Sequence, residues 1–131
     1  MRVLVPVDDS DCGFRALSFA AEFVRETGGE LHVVHIAGSE DETSRAVVDR
    51  ARQHLEAEGV TADPEVVTDL GLSAPRYGTQ IGKDILELVE RRGVDHVVMG
   101  HHGEGRVERL VLGSAARTVV ESGAVPVTVI P

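Results

Sequence analysis

The sequence holds one cysteine, one lysine and no long apolar run, and each shortage excludes something. A single cysteine, Cys12, cannot form an internal disulfide and fits a reducing compartment. No base lies near it in sequence, so it reads as a structural or incidental helix residue rather than a nucleophile. No apolar stretch approaches the roughly 20 residues that a bilayer span needs. The opening MRVLVPVDDSD has one arginine and a short apolar run that meets acid at Asp8. It lacks the apolar core and small-residue cleavage site of a secretion signal, so a cytoplasmic location is expected. The basic residues are twelve arginines and Lys83 alone, against 22 acids, for a formal charge of −9. That balance argues against duplex nucleic acid as the main partner, because phosphate binding needs a basic footprint. It argues equally against an anionic membrane surface.

Several motifs are also missing. GHHGEGRVERLVLGS, residues 100–114, contains no lysine and is not a Walker A loop, which needs Gly-x4-Gly-Lys-[Ser/Thr]. No Gly-x-Gly-x-x-Gly follows the first expected strand, so a dinucleotide fingerprint is absent. There is no HExxH or CxxC spacing. His101 and His102 are adjacent, and adjacent side chains generally point in different directions, so no metal site is read from them. A histidine donating to a phosphate or a loop carbonyl is the better reading.

What is present is an ordinary globular composition, 42% apolar and 27% charged in 131 residues, enough for one domain over 1–131 with a real core. Strand and helix patterns alternate. RVLVPVD (2–8) is a β-branched apolar run suited to a strand buried on both faces. Ser10 or Asp11 caps a helix whose Phe14, Leu17, Ala21 and Val24 follow the helical period, stopped by Gly28-Gly29. ELHVVHIA (30–37) is a second strand. Thr43 or Ser44 caps a second helix with Val47, Val48, Ala51 and Leu55 inward, ended by Gly59. PEVVTD (64–69) is a third strand and GLSAPRYGTQIG (71–82) a long loop rich in breakers. KDILELVERRG (83–93) is a third helix with Ile85, Leu88 and Val89 inward. DHVVMG (95–100) is a fourth strand, about Ser114 to Ser122 a fourth helix, and VPVTVI (125–130) a fifth strand.

This alternation predicts an α/β fold: one doubly wound, open, parallel five-stranded sheet with helices on both faces, Rossmann-like. Ligands of such sheets bind at the carboxyl ends of strands where the strand order reverses. An order of 3-2-1-4-5 sets the ends of strands one and four, Asp8 and Gly100, side by side.

The glycine stretch is spaced Gly100-x2-Gly103-x9-Gly113-Ser114. Gly100 and Gly103 allow tight turns and close approach of backbone to a ligand. Gly113-Ser114 precedes a helix start, whose unpaired N–H groups and dipole suit a phosphate. The plainer alternative is that Ser114 caps the helix and the glycines only turn the loop.

With these features the chain resembles the universal stress protein family across nearly its whole length. The resemblance rests on VLVPVDDSD, HVVHI, DHVVMGHHGEGRVERLVLGSAARTVV and VPVTVI, above all on the glycine spacing after a Val-Val-Met strand. That spacing is the form associated with ATP binding in the family. The resemblance implies ATP with Mg²⁺ as ligand and a regulatory or stress-response role. It implies that Asp8 meets the adenosine with Val7 beside it, and that Ile36 contacts adenine. Met99 and Gly100 would line the ribose and phosphate side. Gly103, Gly113 and Ser114 would hold phosphates through backbone N–H groups and the serine hydroxyl. It also implies a homodimer through Val125 to Ile130. Two departures stand out: Glu104, where a basic or small polar residue is usual, with Arg106 as a compensating charge, and the long 71–82 link.

Binding rather than turnover is expected, because no pair of base and nucleophile is evident. Asp8 and Asp9 could hold Mg²⁺, which would permit slow hydrolysis. A second reading is a nucleotide-independent dimeric adapter acting through protein contacts, with the acidic surface and the 71–82 loop as its working parts. A third is a phosphoacceptor receiver domain built on Asp8, Asp9 and Asp69. The lysine it needs after strand five is missing.

Overall fold

The computed structural model describes residues 1–68, 78–102 and 112–131. Among them run nine elements: β1 (Arg2–Pro6), α1 (Asp11–Thr27), β2 (Glu30–Ile36), α2 (Glu42–Glu58), β3 (Glu65–Val67), α3 (Gly78–Arg92), β4 (His96–Gly100), α4 (Ser114–Ser122) and β5 (Val127–Ile130). The strands form one sheet in the order β3-β2-β1-β4-β5. Every pairing is parallel, as the alternating pattern required.

The two-residue period of β1 divides the core. Val3, Val5 and Val7 pack with Phe14 and Leu17 of α1 and with Val47 and Leu55 of α2. Leu4 enters the opposite layer with Ile85 and Leu88 of α3 and with Ala116 and Val119 of α4. A central strand covered on both sides must be apolar at successive positions, and Val3, Leu4 and Val5 are all 0% exposed. Each such side chain contributes about 1.5–3 kcal/mol by leaving water. The residues expected to face inward on the first three helices are all buried.

Local chemistry sets the helix ends. Ser10 caps α1 by accepting from the Gly13 N–H, and Gly28 closes it with φ of 76°, a left-handed turn that glycine adopts freely. α2 begins one residue before the expected Thr43 cap. Asp41 is its N-cap, and Ser44 completes a reciprocal capping box from inside the helix, satisfying two terminal amides at once.

The largest departure from the sequence pattern is α3. It begins at Gly78, so Gly78 to Gly82, expected in a loop, are helical. A Cβ at Gly82 would lie 2.6 Å from Thr118 Cβ and 3.1 Å from the Ala115 carbonyl oxygen. Gly82 is thus the place where α3 and α4 approach closely. The rest of the expected loop, residues 71–77, lies outside the described residues, as do Asp69, Glu104 and Arg106.

Candidate functional site

β1 and β4 are neighbours in the sheet, and the chain leaves them in opposite directions, to α1 and α2 on one face and to α3 and α4 on the other. The reversal opens a cleft above their carboxyl ends, and a cavity of about 340 Å³ occupies it. Seven of the eight expected binding residues line this cavity: Val7, Asp8, Ile36, Met99, Gly100, Gly113 and Ser114. The eighth, Gly103, lies outside the described residues.

One wall is apolar. Ile36 ends β2, Met99 is the penultimate residue of β4, and Ile81 and Ile85 reach in from α3. The β1 end is polar and tightly organised. The Asp8 carboxylate accepts from the Ser10 N–H at 2.9 Å and from the Ser10 hydroxyl. His35 Nδ1 lies 2.8 Å from the Val7 carbonyl oxygen, and the Val7 N–H donates to Val34. Asp9 does not share this cavity. Its carboxylate pairs with Arg50 at 3.0 Å, and the Arg50 guanidinium lies over the Phe14 ring. Asp8 and Asp9 therefore do not form one carboxylate pair facing the cleft.

The opposite wall is the start of α4. Gly113 is its N-cap, and among the described residues no side chain caps it. The Gly113 amide is itself engaged, donating to the His101 carbonyl at 2.6 Å. Ser114 is the first helical residue rather than the cap. Ser114, Ala115 and Ala116 all border the cavity. The amides of a helix's first turn have no carbonyl partner within the helix, so this turn presents donors and the positive end of a dipole.

Gly100 explains how the cleft is assembled. A Cβ there would lie 2.6 Å from Cys12 Sγ, and 3.0 Å from both the Cys12 carbonyl carbon and the Gly13 amide nitrogen. Only a residue without a side chain lets the end of β4 reach the first turn of α1. The same approach brings Cys12 beside His101 and His102. The cysteine thiol donates to the His102 carbonyl at 3.2 Å, and one ligand atom from each of the three residues lies within 4.8 Å of the others. The imidazole rings meet edge to face with centroids 4.2 Å apart, contrary to the expectation that adjacent histidines diverge. Gly13, Ser10, His35, Ile81, Ile85 and His102 also border the cavity. Sequence reasoning did not assign them to it. The signal available for the two isoleucines was the helical period of α3, hidden by the glycines at its start.

The universal stress protein family pattern matches residues 1–131. The chain belongs to that family. Universal stress protein MJ0531 of Methanocaldococcus jannaschii is 25% identical to it over 144 aligned residues, covering 98% of this chain and 81% of that protein. The universal stress protein from Archaeoglobus fulgidus, solved in complex with dAMP, superposes with a TM-score of 0.75 at 24% identity, covering 100% of this chain and 98% of that one. A universal stress protein solved in complex with cAMP gives 0.76 at 21% identity, covering 99% and 95%. Identities at this level establish the shared Rossmann-like fold. In this universal stress protein no described helix is long and apolar enough to cross a membrane.

Proposed function

We propose that this universal stress protein binds an adenine nucleotide, ATP with Mg²⁺, in the cleft above β1 and β4, and that binding serves regulation in a stress response. The observation that carries the reading is one cavity with an apolar wall at one side and, at the other, a helix start whose N-cap is a glycine. A base needs a flat apolar slot, and Ile36 and Met99 with Ile81 and Ile85 supply one. A phosphate chain needs backbone donors and positive potential, as at the first turn of α4. Val7 and Asp8 take the ribose side. The volume of about 340 Å³ falls within the roughly 300–1,000 Å³ of small-molecule sites. The dAMP and cAMP complexes of similar proteins support an adenine nucleotide as the ligand class. With the Gly113 amide engaged, phosphate contacts fall to the amides of Ser114 to Ala116 and to the Ser114 hydroxyl. Magnesium would be held by the phosphates, with Asp8 as the one carboxylate on the cleft from the Asp8-Asp9 pair.

A homodimer through the last strand belongs to the same proposal. β5 is a sheet edge with every residue half-buried, and such an edge is a ready template for a second chain.

The test begins with the nucleotide content of the denatured protein, followed by calorimetric titration of the stripped chain with ATP and Mg²⁺. Gly113→Asp is the informative variant. Gly113 has extended backbone, φ −64° and ψ 160°, which an aspartate accepts, and aspartate is a favoured N-cap. The carboxylate would occupy the first-turn amides and oppose a phosphate. Two like charges about 4 Å apart near a surface repel by about 4 kcal/mol, close to a thousandfold in affinity. A folded Gly113→Asp protein that binds ATP like the wild type would refute the phosphate assignment.

A further inference from the structure

We infer that Cys12, His101 and His102 form a metal site for a borderline-soft divalent ion of the zinc class. The three residues come from the first turn of α1 and the two positions after β4. Their ligand atoms, one sulfur and two imidazole nitrogens, all lie within 4.8 Å of one another. Zinc binds sulfur at about 2.3 Å and imidazole at about 2.0 Å in a tetrahedron, which sets neighbouring ligand atoms roughly 3.5 Å apart. Closing around an ion therefore needs a contraction of no more than about 1.3 Å, within reach of imidazole rotation about χ2. A thiolate with two imidazoles selects zinc or cobalt over magnesium or calcium, which prefer oxygen.

The backbone holds this arrangement in place. The missing Cβ of Gly100 admits Cys12, and the His101 carbonyl is anchored by the Gly113 amide. Cys12 is buried and the ring nitrogens of His101 are shielded from solvent, while His102 borders the cavity, so an ion would enter from that side. Because His102 also borders the cavity, a fourth ligand, water or an anionic group, would come from that side. On binding, the Cys12 S–H bond breaks, a sulfur–metal bond forms and one proton passes to solvent. The site does not depend on nucleotide binding.

The experiment uses the full chain without an affinity tag, reduced, stripped of metal and free of nucleotide, titrated with Co²⁺ and then Zn²⁺. The expected result is a thiolate-to-cobalt charge-transfer band that saturates at one equivalent per chain and disappears when Zn²⁺ displaces the cobalt. Cys12→Ser should abolish the band. His101→Gln and His102→Gln should each weaken zinc by more than the roughly 10–100-fold that loss of an outer-shell partner costs, while His54→Gln should leave it unchanged. Absence of the band in the folded wild-type protein would overturn the proposal whether or not the variants fold. Wild-type zinc affinity in Cys12→Ser would do the same. ATP affinity, measured on the metal-free chain, reports on the nucleotide cleft separately from the metal site.

Discussion

Adding one methyl group at Gly100 tests how the end of β4 meets α1. In Gly100→Ala the new Cβ would meet Cys12 Sγ at 2.6 Å, and the Cys12 carbonyl carbon and Gly13 amide nitrogen at 3.0 Å each. The thiol can rotate away, but the other two atoms belong to the backbone of the first turn of α1. That turn is held by the Ser10 cap. Overpacking of this kind costs about 1–3 kcal/mol, and rigid backbone obstacles put it near the upper end. Alanine recovers about 0.4–1 kcal/mol by stiffening the unfolded chain, which leaves a net loss of about 2 kcal/mol. With an unfolding entropy of about 2.1 cal/mol/K per residue, Tm should fall by about 7 °C. Differential scanning calorimetry reads the shift directly. In a Cys12→Ala background the cost should shrink without vanishing, because the two backbone contacts remain. A Gly100→Ala protein melting within about 2 °C of wild type would show that the β4–α1 junction yields. Complete relief by Cys12→Ala would show that the thiol alone obstructs.

Two further outcomes are expected. The hydrogen bond from the Ser44 amide, partly offset by desolvation and helped by the Ser39 and Ser44 hydroxyls and the Thr43 amide, holds the Asp41 carboxyl below its usual value. A lowered folded-state pKa adds stability above the ordinary carboxylate pKa of about 3.9 and loses it as pH falls through the lowered value. Asp41→Asn, which keeps a capping oxygen, should therefore melt below wild type at neutral pH and converge with it in acid; parallel Tm curves from neutral pH down to pH about 2 would count against this. At the sheet edge, the Pro126 carbonyl accepts from Val97 of β4 and the Ile130 carbonyl from His101 just beyond it, so the backbone groups of Val127 and Val129 face outward. Val129→Pro removes an outward donor only, as edge strands tolerate. It should convert a dimer to a folded monomer by light scattering, and a Val129→Pro protein that stays dimeric would move the interface elsewhere.

Much of this architecture was legible in the chain because burial leaves a periodic trace. Val3, Leu4 and Val5 announce a strand covered on both faces, and Phe14, Leu17, Ala21 and Val24 announce a helix with one buried side. The strand order was the one that sets Asp8 and Gly100 side by side, and the family resemblance implied it. Local rules failed where a distant neighbour decides. Gly82 looks like a helix breaker until Thr118 is set against it. Ser44 looks like a cap until Asp41 is seen to accept its amide. Cys12 has no base near it in sequence, yet His101 and His102 stand beside it once β4 reaches α1. Asp9 reads as a partner of Asp8, but Arg50, 41 residues away, draws it off the cleft.

The bare start of α4 has a consequence for how the protein can be monitored. α1 and α2 carry side-chain caps from their own N-cap residues, whereas α4 has a glycine there and, among the described residues, no side-chain cap. A bound phosphate would act as the missing cap, so resistance to heat becomes a gauge of ligand concentration. At free ligand a hundred times Kd the folded state gains about 2.7 kcal/mol, or roughly 10 °C for a chain of this length. Melting curves in cell extract would then report how much of the protein is occupied, without a label on the protein or its ligand.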